Sequence, residues 1–276
     1  MTIRRVLITF NNRPGSSELA RQIQGELSRS AEVECVNVHD LEGLHRADLA
    51  FSIGGDGTVL GCLRALEDCG NTPVIAVSMG TVGFITEVQP EMWREVYDRL
   101  LDGTAALSRR RLLASEVKLP GGEWEPFADA LNDIVITNKE RTKILNLEMT
   151  IDGRYAGALR SDGVIVASPT GSTAYSMAAG GPILDPEMEA MVISPICPFT
   201  LSNRPVVVGG NSVVEFGIPR NQSAEVAADG QMCRSLGPES QVRVSCAGTA
   251  LLAGPGGRSF IEVVRRKLHW DGGINA

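Results

Sequence analysis

The spacing of hydrophobic and polar residues before about residue 104 differs from the spacing after it. In the first part, short apolar runs predict four buried β-strands, at residues 6–10, 33–38, 49–53 and 73–79. Apolar residues at helical spacing lie between them: Leu19, Ile23 and Leu27 predict one helix, and we expect others at 58–69 and 91–101. Strands and helices that alternate in this way predict a Rossmann-like α/β domain with a mostly parallel sheet.

After residue 104 the chain consists of short β-rich runs that are separated by turn pairs containing glycine. The clearest alternation of apolar and polar residues, at 145–151, ends at Asp152-Gly153 and predicts a hairpin. We therefore expect an α/β domain at 1–104 and a mainly β, sandwich-like domain at 105–252. Apolar residues at helical spacing in the tail, 253–276, predict that it packs back on the first domain.

Length, composition and net charge limit the classes of protein to which the chain can belong. A chain of 276 residues with 43% hydrophobic and 21% charged residues is typical of a globular protein of two domains. Its formal net charge of −7 disfavours binding to nucleic acid or to an anionic membrane. Because we find neither a signal peptide nor a long apolar span, we expect a cytoplasmic protein.

The sharpest local motif is the glycine loop Gly54-Gly55-Asp56-Gly57-Thr58, between a predicted strand and a predicted helix. Glycines allow close backbone approach, and amides at a helix N-terminus favour an anion, so the loop predicts a phosphate site. An acid in such a loop suits proton removal during phosphoryl transfer, which makes Asp56 the catalytic candidate. The alternative is a plain tight turn with Asp56 as a helix N-cap.

Two further motifs carry hydrogen-bonding groups. A hydroxyl-rich loop at 168–175 offers donors and acceptors for a ribose or amide, and its last residue, Tyr175, offers a flat surface. Asn132-Asp133 precedes a strand, where an amide can read adenine and a carboxylate can hold ribose hydroxyls. Each motif also occurs in ordinary turns or caps.

In this order the three motifs resemble those of the NAD kinase family over nearly the whole chain. The glycine loop alone is shared with diacylglycerol and sphingosine kinases, and a similar loop occurs in phosphofructokinases. The other two motifs narrow the resemblance to NAD kinases.

The resemblance implies transfer of a terminal phosphoryl group to the adenosine ribose 2'-hydroxyl of NAD, with Asp56 as the base. Glycine-loop residues would line the phosphates: Gly54, Gly55, Gly57 and Thr58. Asn132 and Asp133 would hold the adenosine, and the dinucleotide would be held, in part from a neighbouring subunit, by Asp162, Thr173, Ala174 and Tyr175. The other implied substrate contacts are Phe84 as an adenine lid, Lys143, Arg160, Ala178 and Gln231. The sequence departs from the family at Thr81, often Asn, at Ala178, commonly Ser or Asn, and at Asp133, more often Glu.

The active site is expected in the interdomain crevice, with Asp56 facing Asp162 and Tyr175. The donor would be ATP, another nucleoside triphosphate or polyphosphate, entering with Mg²⁺ that is held mainly by the nucleotide, without a dedicated protein metal site. The resemblance also implies a homodimer or homotetramer and, because strictly NAD-using members of the family are similar to this chain at Arg160, a preference for NAD over NADH. The alternatives are a lipid kinase of the same superfamily and a non-catalytic NADP-binding module.

Overall fold

The computed structural model describes residues 2–80, 83–140, 143–200, 202–257 and 259–270. The chain forms two compact units, one of residues 1–109 and 249–276 and the other of residues 110–248. Each unit is described by itself.

The first unit is built on a parallel sheet. Its strands, in spatial order, are β2 (Glu32–Asn37), β1 (Arg5–Phe10), β3 (Leu49–Gly54), β4 (Pro73–Ser78) and the last part of β16 (Gln241–Gly254). Its helices are α1 (Ser16–Leu27), α2 (Asp56–Ala65), α3 (Trp93–Leu101) and α5 (Phe260–Lys267). The predicted α/β class is confirmed.

Burial explains why these segments form these elements. Every residue of β3 and β4 is buried, as expected for central strands of a parallel sheet. Helix α1 buries Ala20, Ile23 and Leu27 on one face. Helix α2 ends at Ala65, four residues before the predicted end, because Leu66 is extended and pairs with His45, whose N–H donates to the Ala65 carbonyl at 2.6 Å.

The order of the strands determines where a ligand site can form. From β1 the chain goes to β2 on one side, whereas β3 lies on the other side of β1. In open parallel sheets, ligands bind beyond the carboxyl ends of strands at such a switch point. The loops that follow β1 and β3, residues 11–15 and 55, meet at this edge.

The second unit consists of two antiparallel sheets. One contains β5 (Ala106–Lys118), β6 (Trp124–Ala130), β8 (Leu145–Ile151), β9 (Arg154–Ser161), β13 (Val213–Gly217) and the first part of β16. The other has the spatial order β12 (Val206–Gly209), β11 (Ala190–Ile196), β10 (Gly163–Ala167), β7 (Asp133–Asn138), β14 (Ala224–Ala228) and β15 (Met232–Leu236). The predicted mainly β class of this part of the chain is confirmed, and the structure shows that its strands pair antiparallel.

The alternation of side chains along the strands places the core between these two sheets. Ile134 and Ile136 of β7 pack with Leu147 of β8 and Phe216 of β13. Val135 points to the other face, where a smaller apolar cluster lies. This period-two pattern is typical of a sandwich that is packed on both faces of one sheet.

Two smaller predictions can be compared with the structure. Asp152 and Gly153, with φ of 51° and 71°, form the turn between β8 and β9, so the predicted hairpin is confirmed. In the tail, Ser259 caps α5 and Val264 is buried, while residues 258 and 271–276 lie outside the described part. In the described ranges, no helix is long and apolar enough to cross a membrane.

Candidate active site

The glycine loop is packed tightly against the loop that follows β1. A Cβ on Gly54 would overlap the Thr58 hydroxyl and the side-chain amide of Asn11. Those two groups are hydrogen-bonded to each other at 2.9 Å. Glycine is therefore required at position 54 by the close approach of two loops at the switch point.

Part of the predicted phosphate loop is occupied by its own hydrogen bonds. The Gly55 N–H donates to the Thr58 hydroxyl at 3.3 Å, and the Thr58 N–H donates to the Gly55 carbonyl at 2.8 Å. Thr58 is buried, so its hydroxyl holds the loop together. Gly57 is exposed, and a Cβ there would meet nothing within 4 Å, so this side of the loop is open.

Asp56 is the first residue of α2, and Gly55 occupies the N-cap position. The alternative interpretation of Asp56 as the N-cap is therefore wrong. Its Oδ1 atom accepts bonds from the Thr86 hydroxyl at 2.9 Å, the Thr86 N–H at 3.1 Å and the Ile85 N–H at 3.4 Å. From the residues that the structure describes, Oδ2 accepts one bond, from the Phe84 N–H at 3.2 Å. The candidate base thus anchors the segment 83–86.

Gly83 makes this anchoring possible. A Cβ on Gly83 would overlap Asp56 Oδ1 and collide with the Thr86 hydroxyl. The same segment carries Phe84, the expected adenine lid, whose side chain is partly buried. The structure therefore brings two predicted site residues, Asp56 and Phe84, into one hydrogen-bonded unit, whereas Thr81 lies outside the described residues.

Arg13 is a cation at the glycine loop that the sequence analysis missed. Its guanidinium lies 3.3 Å from the position that a Cβ on Gly55 would take, and 3.6 Å from that of Gly80. It is exposed and forms no salt bridge within the described parts of the chain. Its position directly after β1, at the switch point of a parallel sheet, is the signal that could have identified it.

In the second unit the other two motifs meet. The Ser168 N–H donates to the Asn132 carbonyl at 2.9 Å, and the Ser168 hydroxyl donates to the Leu131 carbonyl. A Cβ on Gly171 would overlap the Asn132 backbone. The hydroxyl-rich loop is therefore folded directly onto the start of β7, where Asn132 and Asp133 lie.

This contact leaves polar atoms without a partner. Asn132 Oδ1 and Thr170 Oγ1 are buried and have no hydrogen-bond partner among the residues that the structure describes. Buried polar atoms are normally hydrogen-bonded, so these two atoms are exceptions within the loop cluster. Tyr175, 46% exposed, begins a short helix (α4, Tyr175–Ala178) beside them, and Ala178 is exposed at its end.

The remaining residues of this loop have a clear local role. The Thr173 hydroxyl donates to the Thr170 carbonyl at 3.0 Å, and the Ala174 N–H donates to the Gly171 carbonyl at 2.9 Å. Thr173 is buried, whereas Ala174 is only partly so. The loop is thus held rigidly and presents Tyr175 outward.

Asp133 is a buried acid beside a second acid. Burial, and secondarily the negative charge of Asp229, raises the pKa of Asp133 from 3.8 to about 7. The Asp229 carboxylate accepts the N–H groups of Leu131 at 3.0 Å, Asn132 at 2.8 Å and Asp133 at 3.2 Å. Gln231 is exposed at the same turn. Asn132, Asp133, Gln231 and the 168–175 loop form one cluster, which we call the adenosine cluster.

Three other predicted contacts lie at the far end of the same strands. The Asp162 carbonyl accepts the Asn138 N–H at 3.2 Å, and the Asn138 side-chain amide donates to the Lys143 carbonyl at 2.9 Å. Arg160 lies 4.9 Å over the Phe199 ring, on the strand that leads to Asp162.

Asp133 and Asn138 are the two ends of β7, which at about 3.3 Å per residue are about 17 Å apart. Within one chain the structure therefore does not bring Lys143, Arg160 and Asp162 to the adenosine cluster. That Asp56 faces Asp162 and Tyr175 stays a prediction. In the described part of the chain, no group of three or more His, Cys, Asp or Glu side chains could hold a metal ion.

Comparison with known proteins bears on the whole chain. Models of the ATP-NAD kinase N-terminal and C-terminal domains match residues 17–105 and 131–253. An NAD kinase of Treponema denticola is 36% identical, with 98% of each chain covered. One of Pseudomonas putida is 40% identical over 81% of this chain and 76% of its own.

Solved structures with the same fold include an NAD kinase from Archaeoglobus fulgidus in complex with ATP. It is 25% identical with a TM-score of 0.75, and the match covers 96% of this chain and 98% of that one. Yeast NADH kinase complexed with NADH has a TM-score of 0.84 at 23% identity, covering 100% of this chain and 90% of that one. The relatives and the family models cover both units and all three motifs. The chain therefore belongs to the ATP-NAD kinase family.

Proposed function

We propose that the protein is an NAD kinase, which transfers the terminal phosphoryl group of ATP to the adenosine ribose 2'-hydroxyl of NAD and so makes NADP. The observation that carries this proposal is Asp56. It is an acid in a glycine loop, beyond the carboxyl end of β3 at the switch point of a parallel sheet. Relatives at 36% to 40% identity are NAD kinases, which supports the same activity here.

The hydrogen bonds of Asp56 support different roles for its two carboxylate oxygens. Oδ1 accepts three bonds from the segment 84–86 and is the anchoring atom. Among the described residues, Oδ2 accepts a bond from the Phe84 N–H alone, which would leave a lone pair for a ribose hydroxyl. The 2'-oxygen attacks phosphorus while its proton passes to Oδ2, and the bond from phosphorus to the bridging oxygen breaks, so that ADP leaves with that electron pair.

Arg13 and the open side of the glycine loop would neutralise the negative charge of the phosphates. Arg13 is a permanent cation beside Gly55, and Gly57 leaves space for the donor to approach the backbone. Among the described residues, no three acidic, imidazole or thiol side chains meet that could hold magnesium by themselves. A divalent cation would enter with the nucleotide.

The adenosine cluster would hold the acceptor. Asn132 Oδ1 and Thr170 Oγ1 have no hydrogen-bond partner in the described parts of the chain, Asp133 is a neighbouring carboxyl group, and Tyr175 is an exposed aromatic surface. Phe84 would cover the adenine, while Gln231 and Ala178 lie at the exposed margin, where Ala178 contributes no side-chain hydrogen bond.

Lys143, Arg160 and Asp162 lie at the far end of β7, about 17 Å from Asp133. At that distance they would contact the nicotinamide half of the dinucleotide or the substrate of a neighbouring copy. We expect a homodimer or homotetramer in which this set meets the substrate of a neighbouring copy. We also expect a cytoplasmic enzyme that prefers NAD to NADH.

The test is to incubate purified protein with Mg-ATP and either NAD or NADH, and to measure NADP or NADPH. Diacylglycerol and sphingosine vesicles as acceptors test the lipid-kinase alternative. Calorimetry with NADP tests a non-catalytic binding module, which would bind without turnover. NADP formation by wild type that is lost in Asp56→Asn supports the proposal, and absence of NADP formation from wild type overturns it.

A further inference from the structure

The turn between β14 and β15 contains a carboxylate that the motifs did not indicate. Asp229 and Gly230 have φ of 50° and 63°, and the Gln231 N–H closes the turn on the Ala228 carbonyl at 3.0 Å. A left-handed conformation is unusual for a residue with a side chain, although Asp and Asn adopt it more readily than most. The turn directs the Asp229 carboxylate back onto the start of β7.

Three consecutive backbone N–H groups converge on this carboxylate. Leu131 donates to Oδ2 at 3.0 Å, while Asn132 at 2.8 Å and Asp133 at 3.2 Å share Oδ1. The Asp229 N–H in turn donates to the Asp133 carbonyl at 2.9 Å. Hydrogen bonds to a carboxylate are stronger than those between neutral groups, so Asp229 fixes the N–H side of the backbone of 131–133, while Ser168 bonds the carbonyl groups of Leu131 and Asn132.

We propose that Asp229 is a positioning residue for NAD, which holds the backbone of 131–133 so that Asn132 Oδ1 and the Asp133 carboxyl group are fixed where the adenosine binds. This inference rests on the proposed function. Asp229 lies 96 residues from Asp133 in sequence, and its contribution is made through the backbone.

The charge of Asp229 also acts on Asp133. Burial is the larger cause of the raised pKa of Asp133, and Asp229 is the second. On the other side of β7, strand β10 places Ala167 opposite Asp133, and the 168–175 loop that follows carries hydroxyls and the Tyr175 phenol. Asp229 thus keeps Asp133 protonated to a higher pH than burial alone would.

Asp229→Asn is a sharp test because Asn also tolerates the left-handed turn. In this variant the side-chain amide oxygen can still accept one or two of the three N–H groups. The amide NH₂ group would face a backbone N–H donor, and the negative charge of residue 229 is lost. Asp229→Gly is the second variant, since glycine adopts this φ without strain and removes the carboxylate completely. Asp152→Asn is the matched control, because Asp152 has φ of 51° in another Asp-Gly turn and accepts the Val213 N–H at 2.9 Å.

The measurements are KM for NAD and kcat at saturating Mg-ATP from about pH 5.5 to 8.5, with NAD affinity by calorimetry. Asp229→Asn should raise KM about tenfold, the factor expected when displaced Asn132 loses one hydrogen bond to NAD, with kcat within about threefold. The rise of kcat/KM with pH, as the Asp133 carboxylate forms, should occur at lower pH than in wild type. Asp229→Gly should raise KM at least as much, and Asp152→Asn should match wild type.

Wild-type KM and an unshifted pH profile in Asp229→Asn would overturn the proposal. So would a fall in kcat with KM unchanged, which indicates a purely structural role. If Asp229→Asn does not fold, Asp229→Gly decides in the same way. If wild type and Asp152→Asn form no NADP, the proposed function fails, and the calorimetric NAD affinities of the variants still test Asp229.

Discussion

Asp133→Asn is expected to stabilise the 110–248 unit at alkaline pH while it impairs the proposed NAD site. Asp133 is buried beside Asp229, and its pKa is raised to about 7, chiefly by burial. Asn has nearly the same shape and carries no charge. The substitution therefore removes the cost of ionising a buried acid and leaves the packing unchanged.

The sign and size follow from proton binding in the folded and unfolded states. Between about pH 4 and pH 7 the folded protein retains a proton on Asp133 that the unfolded chain has released. The free energy of unfolding therefore falls as pH rises through this window. The rise in pKa from 3.8 to about 7 corresponds, at about 1.36 kcal/mol per pH unit, to at most about 4 kcal/mol at pH 8.

Urea unfolding at about pH 5 and pH 8 is the assay, with amide hydrogen exchange of peptides from β7 and β14 to report this unit separately. Wild type should lose stability between the two pH values, and Asp133→Asn should lose much less. Asp152→Asn should follow the wild-type slope. Equal slopes for wild type and Asp133→Asn, or a variant that is no more stable than wild type at pH 8, would refute the reasoning.

Three further predictions are read from NADP formation at varied NAD. Asp56→Asn should lower kcat by at least about 10²-fold, because the base is lost. It should also raise KM, because it weakens the bonds that hold Phe84. Retention of more than about a tenth of wild-type kcat would exclude Asp56 as the base. Thr86→Val removes the hydroxyl that bonds Asp56 and should lower kcat, while Thr86→Ser should restore it; equal rates would exclude a positioning role. Tyr175→Ala should raise KM for NAD more than it lowers kcat, and an unchanged KM would contradict its place in the site.

Local patterns predicted much of the fold. The strands β3 and β4 are continuous apolar runs because both their faces are buried, and the Asp152-Gly153 hairpin is specified by residues that tolerate positive φ. Both signals lie within a few neighbouring residues. A single sequence is sufficient to find them.

The supporting contacts of the site could not be predicted in this way. Thr86 lies 30 residues from Asp56, and the N–H groups that Asp229 accepts are 96 to 98 residues away. In the sequence, Asp229-Gly230 indicates only a turn, and Arg13 lies in what reads as another turn. These residues are brought to the site by tertiary structure, and no periodicity marks them.

The bond network around Asp56 also limits how such an enzyme can diversify. The segment that carries Phe84 is bound by its backbone to the carboxylate, through a contact that only glycine at position 83 permits. A change that alters the path of this segment to admit a different acceptor will also move the base. The range of acceptors can therefore change through the side chain at position 84. Insertions or larger residues at position 83 would lower the turnover rate as well as the selectivity.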